Sequence, residues 1–300
     1  KAIVRIGLKI PGLRSVLRKA VKRKIGMLNC KYAITGAAPI NPDILHLFHH
    51  IGVPLYEGYG MTETTAGASM NYRGSNKIGS VGRTIPGGTE LKTDTDGEIM
   101  FRGRHVMKGY YNNPEATAEV MDNGWLRSGD IGEIDSEGYV KITGRKKEIY
   151  VNSGGKNIAP LVIEETMKSI PLVSQCFLVG DGRKYCSALL TLDVSAILRD
   201  KFGMDGSKLP KDPAKQIALL KEQGHDLSDY TDSAEIHAEI ESQVMDLNGK
   251  FAPPEQIKKF TILPRDLTVD DGELTPTLKI RRKQIRENWS SEIDEMYVGA

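Results

Sequence analysis

Cysteine is scarce in this 300-residue sequence: Cys30, Cys176 and Cys186 form no C-x-x-C pair and no even-numbered set. That excludes a disulfide scaffold and a zinc module, and it points to reduced thiols in a cytoplasmic or cytosol-facing setting. Long apolar runs are also missing, none approaching the roughly 18 residues that a spanning helix needs, so a membrane-spanning chain is excluded. Neither charge sign dominates, with 41 basic against 39 acidic side chains for a net +2, and no nucleic-acid partner is expected. Internal repeats and low-complexity tracts are absent. Neither an initiator methionine nor a signal peptide stands at Lys1, so the sequence is expected to be a piece of something longer. What is present, 39% hydrophobic and 27% charged residues, is ordinary for one large or two ordinary soluble domains.

Charge is unevenly spread. Residues 1–31 hold ten basic side chains, among them Lys1, Arg5, Lys9, Arg14, Arg18 and Lys22, and no acidic one; the remainder is net −8. Leu13, Val16, Leu17, Ala20 and Val21 recur there at helical spacing, which reads either as a basic amphipathic helix for an anionic membrane surface or as a solvated helix face packed on further sequence. From Tyr32 to Leu55 the pattern is strand, helix, strand, with Asn41 as N-cap, Pro42 at the first helical position and Gly52 as the stop. Residues 78–145 read as short strands with tight turns at Asp94-Thr95-Asp96-Gly97 and Asp135-Ser136-Glu137-Gly138, a small β subdomain. After that, Pro160 opens a helix, β-rich runs follow at Val173 to Val179 and Ser187 to Asp193, and residues 195–249 read as an insertion of surface helices.

The sharpest chemical segment is Tyr56 to Thr65, YEGYGMTETT. Its glycines let backbone approach a ligand, Tyr59 offers a flat face to a base, and Thr62 beside Glu63 suits a phosphate oxygen and its Mg²⁺, a cation that takes hard oxygen ligands. It matches no G-x-G-x-x-G, and Gly154-Gly155-Lys156-Asn157 lacks the Ser or Thr of a Walker loop. Its company is more telling. Thr35-Gly36-Ala37-Ala38-Pro39 lies upstream. Gly124-Trp125-Leu126-Arg127-Ser128-Gly129-Asp130, Thr143-Gly144-Arg145-Lys146-Lys147-Glu148 and Leu274-Thr275-Pro276-Thr277-Leu278-Lys279 lie downstream. Together, in this order, these runs resemble the adenylate-forming superfamily: acyl-CoA synthetases, carrier-protein adenylation domains and firefly luciferase. Gly155 to Pro160 and the Thr-Pro-Thr-Leu-Lys run look most like long-chain fatty-acid CoA ligases, including the bubblegum type.

The resemblance implies an α/β fold in two parts: residues 1–145 as the C-terminal part of a large AMP-binding domain, and 146–300 as a mobile α+β domain. It implies ATP, Mg²⁺ and CoA as partners in activating a fatty acid through acyl-AMP. By the same resemblance, Gly36, Ala37, Ala38 and Tyr59 would line the adenine, Gly60 would belong to the same cofactor site, Thr62 would meet the α-phosphate, and Glu63 would hold Mg²⁺. Asp130 would take both ribose hydroxyls, with Arg145 donating to the same sugar. Lys147 would be the hinge, Gly154 and Gly155 would leave room for the pantetheine arm, and Lys279 would stabilise charge developing at the α-phosphate. The family's upstream phosphate-gripping loop is not found, so the sequence is expected to cover the second half of the enzyme. Two alternatives remain open: loading of a carrier protein instead of CoA, and an inactive nucleotide-binding or membrane-surface module. Elsewhere, His46, His49 and His50 read as ordinary surface or core histidines, Cys176 and Cys186 as buried structural thiols, and Glu273 as part of a turn.

Overall fold

The computed structural model describes residues 11–299, and the chain divides into two units, Lys1–Lys147 and Glu148–Ala300. Lys1, Arg5 and Lys9 of the basic segment lie outside the described residues. In the first unit, α1 (Pro11–Lys24) carries six of that segment's other seven basic side chains, all but Lys31. Its Arg18 Nε donates to the His50 carbonyl at 2.7 Å and its Lys22 Nζ to the Gly52 carbonyl at 3.4 Å. Two of the basic side chains thus sit at the carbonyl end of the next helix, where cations are favoured.

β1 (Ala33–Thr35) runs parallel to β2 (Leu55–Tyr59), and α2 (Pro42–His50) supplies the crossover that parallel strands require. The Asn41 side chain accepts from the Asp43 N–H at 2.8 Å, and Pro42 follows at the first turn, so the sequence's capping signal is realised. β3 (Ser69–Met70) and β4 (Arg83–Thr84) extend this sheet antiparallel. A second sheet holds β5 (Glu90–Thr93), β6 (Glu98–Arg102), β7 (Met121–Asp122), β8 (Trp125–Ile134) and β9 (Val140–Arg145), with α3 (Pro114–Val120) before β7. The two Gly-ended turns expected from sequence join β5 to β6 and β8 to β9. Ala68, Ile99, Phe101 and Val140 form the buried centre, with Tyr59 packed against it.

In the second unit, β10 (Tyr150–Val151) and β11 (Asn157–Ile158) form a short hairpin ahead of α4 (Pro160–Met167). β12 (Val173–Val179) pairs antiparallel with β13 (Cys186–Leu192). Next come α5 (Val194–Asp200), α6 (Pro213–Glu222), α7 (Ser228–Thr231) and α8 (Ala234–Asn248). Then β14 (Ile257–Ile262) returns parallel to β13, and α9 (Arg282–Asn288) and α10 (Ser290–Glu295) finish the unit. Every residue of β13 is buried. Its side chains alternate between two cores: Ala188 and Leu190 face one cluster, Leu189 the other, as a strand covered on both faces requires.

The segment expected to be an insertion of surface helices is therefore the crossover between two parallel strands. Leu220, Tyr230, Ile236, Ile240 and Val244 from it are buried in the first cluster, so it walls one face of the sheet. Cys176 and Cys186 are buried as expected, and burial pushes the Cys186 thiol up to about 12. Among the described residues no helix is long and apolar enough to cross a membrane.

Candidate active site

In open α/β sheets, ligands collect beyond the carboxyl ends of parallel strands. Beyond β1 lie Gly36, Ala37 and Ala38, all exposed, with Ala37 in the left-handed region at φ +68°. A Cβ at Gly36 would stand 3.0 Å from the Gly58 carbonyl oxygen of β2, so this turn lies close against the neighbouring strand. The loop is also held from below. Glu57 of β2 is buried and its carboxyl accepts from the Ile40 N–H; burial, opposed by that bond, pushes its pKa from 4.5 up to about 7. Sequence reasoning misses Glu57, because Tyr56 beside it is buried too and the usual in-out alternation gives no signal there.

The chain leaving β2 turns back at once. A Cβ on Gly60 would fall 2.1 Å from the Ala66 carbonyl oxygen, a backbone atom with no room to yield, so only glycine closes this loop. Thr65 at φ +54° and Ala66 at φ +75° complete the turn. The Thr64 hydroxyl locks it by accepting from the Met61 N–H and donating to the Met61 carbonyl, both at 3.0 Å. Of the pair expected to meet phosphate and metal, Thr62 is exposed and Glu63 half-buried. Tyr110 Oη donates to Glu63 Oε1 at 2.7 Å, and that bond raises the tyrosine's pKa. A single carboxylate turned by a neighbour and partly open to solvent suits a hard cation that keeps most of its ligands from water and phosphate. Tyr110 gives no signal in the sequence because it lies in a loop far along the chain.

Tyr59, Asp130 and Arg145 come together. Asp130 of β8 is the register partner of Arg145 of β9, with Arg145 Nε 3.3 Å from Asp130 Oδ1. Tyr59 Oη donates to Asp130 Oδ2 at 2.5 Å across 71 residues of sequence. Burial, followed by the Asp130 charge, holds the tyrosine hydroxyl protonated well above its ordinary range, so it remains a donor. Its ring leans on Phe101 at 5.8 Å between centroids. The residues expected around adenine and ribose thus share one end of the first unit.

Lys146, next in sequence, pairs with Asp96 at 2.6 Å and with the buried Glu98 at 2.8 Å. Asp94, Asp96 and Glu98 are the one group of converging acidic or sulfur ligands among the described residues, and Arg127 and Lys146 neutralise it. Lys147 is exposed and is the last residue of the first unit. His46, His49 and His50 are exposed, with His50 Nδ1 2.6 Å from the His46 carbonyl oxygen.

In the second unit, Gly154 and Gly155 form the exposed turn between β10 and β11. The buried Asn152 shapes it by accepting from the N–H groups of Gly154 and Lys156 at 3.0 and 2.9 Å. Lys279 is exposed on a separate hairpin loop, its N–H donating to Thr275 Oγ1 at 3.0 Å. Glu273, expected as part of a turn, closes one, its N–H donating to the Thr268 carbonyl at 3.1 Å, and its side chain is completely buried. Burial would raise its pKa, but the Arg265 guanidinium and further donors hold it down to about 2.

Residues 10–111 match the family described as AMP-binding enzyme, and residues 147–202 the one described as AMP-binding enzyme C-terminal domain. The chain is 38% identical to the long-chain-fatty-acid–CoA ligase FadD15 of Mycobacterium bovis, over 97% of its own length and 46% of that protein's. It is 34% identical to the long-chain-fatty-acid–CoA ligase ACSBG2 of Gallus gallus, over 96% of this chain and 38% of that one. It thus spans less than half the length of these relatives. Among solved structures it is similar to the O-succinylbenzoate coenzyme A synthetase of Bacillus subtilis in complex with AMP, with 25% identity and a TM-score of 0.58 over 84% of this chain and 45% of the other. The A domain of a carboxylic acid reductase from Segniliparus rugosus shares its fold at a TM-score of 0.69 and 19% identity, over 96% of this chain and 42% of the other.

Proposed function

This chain belongs to the AMP-binding, adenylate-forming superfamily, and from that premise we propose that it supplies the C-terminal half of an ATP-dependent fatty acyl-CoA synthetase. The fatty-acid carboxylate attacks the α-phosphate of ATP to give acyl-AMP and pyrophosphate, and the CoA thiol then displaces AMP to give the thioester. The observation that carries the reading is the convergence of Tyr59, Asp130 and Arg145 beside the Gly36–Ala38 turn. In this reading Tyr59 stacks on adenine, and Asp130, oriented by Tyr59 and Arg145, accepts from the ribose hydroxyls. Thr62 would face the α-phosphate and Glu63 would hold Mg²⁺, which when bound would supply charge neutralisation on the phosphates. Lys279 sets an ammonium at the forming bond between two anions. Lys147 absorbs the dihedral change of a domain rotation, after which the turn at Gly154 and Gly155 admits the pantetheine arm.

Support for long-chain acids comes from the two ligases named above; their shared similarity extends over nearly the whole chain. The test is pyrophosphate release from Mg·ATP by the complete protein across acids from acetate to very long chains, followed by CoA consumption. Release that peaks with long acids and consumes CoA is expected. Silence for every acid refutes the reading, and release that proceeds only to a holo carrier protein replaces CoA as the acceptor.

A further inference from the structure

The loop that carries Lys279 is a closed hairpin with an exposed tip and a buried base. Leu274 and Ile280 pair across it, the Thr275 N–H donates to the Lys279 carbonyl at 2.8 Å, and the Arg281 N–H donates to the Glu273 carbonyl at 2.8 Å. At the tip, Leu278 is 69% exposed and sits at φ +60°, so the loop's own hydrogen bonds shape it rather than core packing. The base is different. The fully buried Glu273 carboxylate accepts from Arg265 at 2.7 and 2.9 Å, the Thr268 N–H at 3.0 Å, Asn288 Nδ2 at 3.0 Å and Trp289 Nε1 at 2.8 Å. On the returning side, Arg282 donates to both oxygens of the buried Glu164 at 2.8 and 2.7 Å and reaches Glu148 at 3.3 Å. Glu164 also accepts from the Leu178 N–H at 2.8 Å, which ties the base to the central sheet.

Burying the Glu273 and Glu164 carboxylates carries a desolvation cost that an apolar base would avoid, and what their arginine pairs secure is a fixed geometry. A lysine has a long flexible stem, so the place of its ammonium depends on how firmly its backbone is held. We propose that Glu273 and Arg282 are positioning residues for Lys279, clamping the two ends of its hairpin so that the ammonium meets the α-phosphate in one place. The proposal rests on the reading of Lys279 as the adenylation lysine. Misplacement by about 1 Å costs on the order of 10²-fold in rate.

The test uses the complete protein with Glu273→Gln, Arg282→Lys and the milder Trp289→Phe, alongside Lys279→Ala and the double variant of Glu273→Gln with Lys279→Ala. Pyrophosphate release reports the first half-reaction, and thioester formation from supplied acyl-AMP reports the second. Glu273→Gln and Arg282→Lys are expected to lower kcat for pyrophosphate release by about 10- to 100-fold with KM for ATP and the second half-reaction unchanged. Trp289→Phe, which keeps a ring and removes one bond to Glu273, should show the same split at several-fold, and it decides the matter if Glu273→Gln does not fold. The double variant should lose no more than Lys279→Ala alone, since a clamp has no effect once the clamped group is gone. Equal losses in both half-reactions, or full additivity in the double variant, overturn the proposal and leave Glu273 a purely structural anchor. Normal adenylation by Lys279→Ala overturns the reading of Lys279, and the proposal with it.

Discussion

Asp130→Asn tests the proposed ribose contact with little change in shape. Asp130 is 9% exposed, accepts from Tyr59 Oη at 2.5 Å and lies 3.3 Å from Arg145 Nε. Its carboxylate is therefore held by one element from each sheet of the first unit. A hydrogen bond to a charged acceptor contributes about 1.5–3 kcal/mol, against about 0.5–1.5 kcal/mol for a neutral one. Asparagine keeps one neutral acceptor oxygen and presents an amide donor in place of the other, so one ribose bond is lost and one weakened. A net loss of about 2–3 kcal/mol, at about 1.4 kcal/mol per tenfold, raises KM for ATP by about 30- to 150-fold. The assay is pyrophosphate release against Mg·ATP concentration at saturating fatty acid, with KM for the acid measured in parallel and expected to hold. Tyr59→Phe is the companion, since it keeps the ring for adenine and removes only the hydroxyl. It should cost about 1 kcal/mol of stability and shift KM for ATP far less. An Asp130→Asn protein that melts with the unsubstituted one and keeps its KM for ATP refutes the ribose assignment.

Glu57 should make stability fall with rising pH: the folded state keeps its proton to about 7 and the unfolded state only to 4.5, so unfolding releases a proton between those values. Melting temperatures across that window should decline and then level off above it, and Glu57→Gln should flatten the decline; an equally steep decline in the variant would show that another group is responsible. Gly60→Ala puts a Cβ 2.1 Å from the Ala66 carbonyl oxygen, so it should lower stability by about 1–3 kcal/mol and abolish adenylation. A fully active, equally stable alanine variant would mean that the loop closes another way. Lys147→Pro should spare acyl-AMP formation and block transfer to CoA, because proline restricts both its own φ and the residue before it. Normal thioester turnover would move the hinge elsewhere.

Elements specified by neighbouring residues are legible in the sequence. Asn41-Pro42 sets a helix start by side-chain capping, and the Asp-rich, Gly-ended turns set hairpins by backbone conformation alone. The meeting of Tyr59 with Asp130 is expected for a different reason, their place in ordered runs that resemble a known superfamily. Legibility fails where the partner is remote. Glu273 looks like one acidic residue among several until Trp289 and Arg265 fold onto it. Glu57 is hidden because a buried carboxylate and a solvated strand residue read alike in one dimension. The helices between β13 and β14 have polar outer faces that suggest an appendage, yet their inner faces complete a core formed only when distant strands pair.

That parallel pairing of β13 with β14 also sets a clock. At about 5–20 residues per second, the ribosome needs about 3–13 s to make the chain between Leu192 and Ile257. During that interval the β12–β13 hairpin has the open edge of a strand whose every residue is destined for burial. An edge of that kind recruits whatever strand reaches it first. The crossover helices, emerging next, are the material at hand to shield one face while synthesis catches up. Face cover alone leaves the hydrogen-bonding edge of β13 open, and only β14, the last strand of the chain, completes that sheet.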